Sequence, residues 1–276
     1  MEPQLVLKLK DDDTWVVAKT AFDIIAAYVQ PTSQSLPEQV ALYLDNLTPV
    51  KRQLNYLERT ETFTSFLLEF WEVFLVLARQ IPCDHPSQAR LVQLVAELKS
   101  LSTMSAETGR GIWTDLVGLE NSIQDSWKEP SSAEDTFEPF QEWINLNAFV
   151  SRLYGDGLID FYYFAIWTMR DSLEIASHPV EDVFECYVTA AAQWIYHSSS
   201  TLLKDMRDRE PRELELGPLR SSLFVGTKVI SIDRWLFWKQ RFKSLSELDS
   251  PEILKREALA AFEVMHRDDG EVPYVH

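Results

Sequence analysis

Apolar side chains recur every three to four residues along nearly the whole chain, a spacing that belongs to α-helices and excludes most sheet architectures. Val17, Ala21, Ile24, Ile25 and Tyr28 line one side of a first segment, which Thr14 opens and Pro31 follows. Ser35-Leu-Pro-Glu38 reads as a capping box with proline in the first turn, opening a helix to about Asn46. Thr48-Pro49 opens a short one. Thr62 caps a long segment to Ile81 that is apolar on most sides and therefore belongs in the centre of the fold. A one-sided helix follows through Leu91, Leu94, Val95, Leu98 and Leu101. After a polar loop at 103–114, Asp115 caps a helix to Lys128, and an acidic loop spans 129–136. The next helix carries Trp143 to Leu153 and stops at Gly155-Asp-Gly157. Ile159 to Ala176 is aromatic and helical, and Pro179 starts a helix to about Met206, in one or two pieces. Ser231 caps a helix through Leu248. Ser250-Pro251 opens the last, to about Arg267, leaving 268–276 as a frayed tail.

The sum is an all-α fold, an irregular closed bundle of about ten or eleven helices with no significant sheet. The longest sheet-like runs, Leu5–Leu9 and Leu223–Ile232, are short and isolated. No repeat at the tetratricopeptide or HEAT period is present, which favours a closed bundle over a solenoid. The expected organisation is a single domain over 1–276, with 207–230 as the candidate internal linker, since it carries charges, Pro211, Gly217-Pro218 and Gly226. A chain of this length buries roughly 75% of its unfolded surface, so neither disulfides nor metal are needed to hold it.

Composition narrows the function classes. Only 8 glycines occur in 276 residues, which weighs against phosphate-cradling loops. The formal charge is −17, with no basic third of the chain. Nucleic acid and anionic membrane surfaces are therefore poor partners. Cys83 and Cys186, the only cysteines, have no motif spacing and fit reduced thiols, hence a cytoplasmic or nuclear location. The apolar run at the start is too short for a signal peptide, and Glu69 and Glu72 interrupt the most apolar stretch, Phe63 to Ala78.

An ordered series of segments carries a family resemblance. Trp113-Thr-Asp-Leu116, Trp127 and Trp143-Ile-Asn-Leu-Asn-Ala-Phe-Val-Ser-Arg-Leu153 come first. Ala165-Ile-Trp-Thr-Met-Arg-Asp-Ser-Leu-Glu174, Ala190-Ala-Ala-Gln-Trp194, Phe224-Val-Gly226 and Ser231-Ile-Asp-Arg-Trp-Leu-Phe-Trp-Lys-Gln-Arg-Phe242 follow. Over roughly 60–245 this resembles domain of unknown function number 3632, a family of filamentous-fungal proteins. The resemblance implies a helical fold and a fungal source. It brings no reaction and no functional residue.

Four constellations are candidate sites. On the Trp143–Leu153 helix, Asn145, Phe149 and Arg152 share one face, and Trp143, Asn147, Val150 and Tyr154 another. Asparagine inside an apolar helix must find partners, in a ligand or in neighbouring backbone. Trp167, Arg170 and Glu174 share a face, with Arg170 and Glu174 four residues apart. Arg234, Trp238 and Arg241 share one face of the Ser231 helix, and Trp235 and Phe242 lie on another. Such stripes serve as core or as interface anchors. The stretch 115–142 holds eight carboxylates and one lysine, a solvated face or a lure for a basic partner.

Metal and catalytic signals fail on spacing. Cys83-Asp-His85 is too compact for one tetrahedral site, and His178 near Glu181, Asp182 and Glu185 lacks a second histidine. His197 beside Ser198-Ser-Ser200 has no nucleophile geometry, and no GxSxG, Walker or dinucleotide fingerprint occurs. No cofactor, metal or catalytic residue is assigned. The leading expectation is a non-catalytic interaction or regulatory module that takes a protein partner or forms a homo-oligomer. The rival is an enzyme or carrier with an aromatic-lined pocket for a small organic molecule. Asn145, Asn147, Arg152, Trp167, Arg170, Glu174, Arg234 and Trp238 would line that pocket, an enclosed cavity of about 300 Å³ or more.

Overall fold

The computed structural model describes residues 3–9, 15–52, 62–104, 109–130, 137–176, 180–210, 223–225 and 228–270. Among these residues the chain forms ten helices and no strand; one isolated bridge joins Met104 and Gly111. It divides into two compact units, Met1–Glu129 and Pro130–His276. Among the described residues no helix is long and apolar enough to cross a membrane.

The first unit holds α1 (Val16–Tyr28), α2 (Pro37–Asp45), α3 (Phe63–Gln80), α4 (Ser87–Ser100) and α5 (Leu119–Ser126). Helix α3 is the centre, as its apolar circumference dictates. It packs against α1, α4 and α5, and eleven of its side chains are buried. Phe70 lies 5.2 Å from Trp71, 5.3 Å from Phe74 and 5.0 Å from Trp113 between ring centres. Fully burying each such ring contributes about 1.5–3 kcal/mol. Thr62 caps α3 as expected, accepting a bond from the Ser65 amide at 3.1 Å.

Three local expectations change. The Ser35–Glu38 box does not close: Leu36 is the N-cap of α2, no side chain caps it, and Pro37 alone marks the first turn. Thr48-Pro49 starts a turn, with Thr48 bonding back to the Asp45 carbonyl at 2.7 Å. Asp115 caps nothing. It faces Arg110 at 3.6 Å, and left-handed backbone at Leu116 and Gly118 delays α5 to Leu119. The proposed Thr14 cap lies outside the described residues.

The sheet-like run near the N-terminus is extended but pairs with side chains. The Gln30 amide group bonds both the N–H and the C=O of Leu5, at 3.0 and 3.1 Å. Gln80 does the same for Lys8, at 2.8 Å each. Two glutamines thus take the place of a partner strand's ladder.

The second unit holds α6 (Phe137–Gly155), α7 (Tyr162–Leu173), α8 (Glu181–Asp208), α9 (Ile232–Glu247) and α10 (Glu252–Asp269). Helix α8 is one uninterrupted piece of 28 residues, against which α6, α7, α9 and α10 all pack. Ala190, Ala191 and Ala192 are fully buried on it, and small side chains let neighbouring helices come close. Helices α6 and α8 approach closely at Gly155, where an added Cβ would sit 2.0 Å from the His197 carbonyl oxygen. Gly155 then ends α6 and Gly157 turns left-handed, as the sequence predicts.

Candidate functional site

The polar interior of the second unit is built on α9. Ser231 caps that helix by accepting from the Arg234 amide at 3.2 Å, which fixes Arg234 in its first turn. The guanidinium then meets Glu174, the residue that closes α7. Nε donates to Oε1 at 2.6 Å and Nη2 to Oε2 at 2.8 Å, a two-pronged ion pair. One turn on, Trp238 Nε1 donates to the same Oε1 at 2.8 Å. Arg234 Nη1 reaches the Val229 carbonyl at 3.1 Å, and its charged carbon lies 5.1 Å from the Phe224 ring centre. Glu174, Arg234 and Trp238 are at most 2% exposed.

The same helix repeats the device on its next face. Trp235 Nε1 donates to Asp269 Oδ2 at 3.3 Å, and Lys239 Nζ bonds both oxygens at 2.8 and 2.9 Å. Two interleaved i, i+4 pairs, Arg234/Trp238 and Trp235/Lys239, each hold one buried carboxylate from another helix end. Arg241 completes α9 by donating to the carbonyls of Leu173, Ile175 and Ala176 where α7 runs out. That is the place where unpaired carbonyls and the helix dipole favour a cation. Burial lowers the Arg241 pKa from its usual value.

The first unit holds a third such carboxylate. Asp45, 1% exposed, accepts from Trp113 Nε1 at 2.8 Å and Thr103 Oγ1 at 2.9 Å, and pairs with Lys51. An indole N–H and a cation around a sealed carboxylate is therefore a recurrent element of this interior.

The asparagine helix is spent internally too. Asn147, 0% exposed, donates from Nδ2 to the Trp143 carbonyl at 3.0 Å. Its Oδ1 accepts from Thr168 of α7 at 3.0 Å and Trp194 of α8 at 2.8 Å, tying three helices together. Asn145 Oδ1 accepts from Gln141 at 3.0 Å, and Arg152 donates to the Ala148 carbonyl at 2.9 Å. Arg170 bonds Asp171 at 2.6 and 2.9 Å. Trp167 packs edge-on to Tyr163 and Phe164.

The structure therefore joins Glu174, Arg234 and Trp238 in one cluster and places Asn147 in another. Between α1 and α3, a shallow apolar depression lined by Trp15, Ala18, Phe66 and Phe70, with no room for even a water molecule, touches none of the eight candidates. Asp45, Asp269 and Lys239 escaped the sequence reading. The signal available for Lys239 was its place four residues after Trp235; the two aspartates had none. Helix α10 runs to Asp269, two residues into the expected tail at 268–276, and residues 271–276 lie outside the described residues. His178 and Pro179 lie outside the described residues.

Beside this interior sits His197 on α8. Burial, and then the Arg152 charge, hold its imidazole down at about 3. On the same flank Tyr154 donates its hydroxyl to Asp205. Burial, with the Asp205 carboxylate second, raises the Tyr154 phenol far above its usual value.

Helices throughout and a polar interior closed on itself define an all-helical protein, among the described residues. The chain belongs to the family described as "Protein of unknown function (DUF3632)", whose match spans residues 71–242. Comparison with curated proteins and with solved structures gives no match.

Proposed function

We propose that the protein is a non-catalytic interaction module of the cytoplasm or nucleus. One observation carries this reading. The strongest polar constellation, Glu174 with Arg234 and Trp238, has its carboxylate, guanidinium and indole engaged with one another at no more than 2% exposure. Groups that serve a substrate stand in a cleft with bonding capacity to spare. Here the conspicuous residues build the scaffold, which leaves function to the outer surface. Two cysteines in 276 residues, without motif spacing, suit a reducing compartment.

Two measurements test this together. In a thermal-shift screen against metabolite classes, no compound should raise Tm, because a ligand that prefers the folded state stabilises it. Proximity labelling in the native cell should recover a reproducible protein neighbour. A metabolite that stabilises the wild-type chain but not N147A, with no enriched neighbour, would overturn the reading in favour of a small-molecule site.

A further inference from the structure

We draw no further inference here: the strongest candidate, the apolar surface patch where Leu36, Leu42 and Tyr43 stand exposed at α2, carries nothing because nothing in the structure shows what covers it.

Discussion

At the scale of single residues, the interior depends on carboxylates that would be untenable alone. Glu174→Ala strips the counter-charge from Arg234, which stays buried, and should cost about 3–5 kcal/mol in chemical denaturation. Trp238→Phe removes one hydrogen bond to a charged oxygen and leaves a small cavity in a sealed interior, and should cost at least about 1.5–3 kcal/mol. If Glu174→Ala were as stable as wild type, the ion pair would not be holding α9 to the end of α7. His197 gives a pH-dependent expectation. Its pKa in the folded protein is about 3, against an ordinary value of 6.5. The unfolded chain therefore binds the proton more tightly, and stability present above pH 6.5 is lost as pH falls from there toward 3. A His197→Gln chain should show a shallower decline of Tm over that window; a decline of equal slope would place its cause elsewhere.

At the scale of elements, Gly155 is a point of close backbone contact between α6 and α8. Gly155→Ala would drive a Cβ to 2.0 Å from the His197 carbonyl oxygen. Backbone on both sides leaves no flexible group to give way, so overpacking of about 1–3 kcal/mol or more is expected. Thermal unfolding of the single variant checks it. Most of the helices were legible because their burial needs only a periodic stripe. Thr62 and Ser231 could be read as caps for the same local reason, since the hydroxyl bonds an amide three residues on. The Asp115 helix start was not legible. Its carboxylate is drawn off to Arg110, and the left-handed turn at Leu116 and Gly118 depends on tertiary packing. In the candidate site, Arg234 and Trp238 stood out as one face of one helix. Their link to Glu174 spans 60 residues, and Asp269 lies 30 residues beyond Lys239. Helical spacing fixes which residues share a face, but long-range pairing between faces leaves no mark in a single chain.

At the scale of the molecule, each of the two compact units carries buried carboxylates of its own. Asp45 bonds Trp113 and Thr103 in one unit, and Glu174 bonds Arg234 and Trp238 in the other. The destabilisations of Asp45→Asn and Glu174→Gln should therefore add within about 0.5 kcal/mol in the double variant. A larger interaction energy would mean that the two interiors unfold as one coupled body.

The sealed indoles also give the molecule its own optical labels. Trp71 and Trp113 report from one unit, and Trp194, Trp235 and Trp238 from the other, all shut away from solvent. Their emission should be blue-shifted and deaf to aqueous iodide. Replacing all four indoles of the first unit, Trp15, Trp71, Trp113 and Trp127, with phenylalanine would give a chain whose remaining glow follows the melting of the second unit alone.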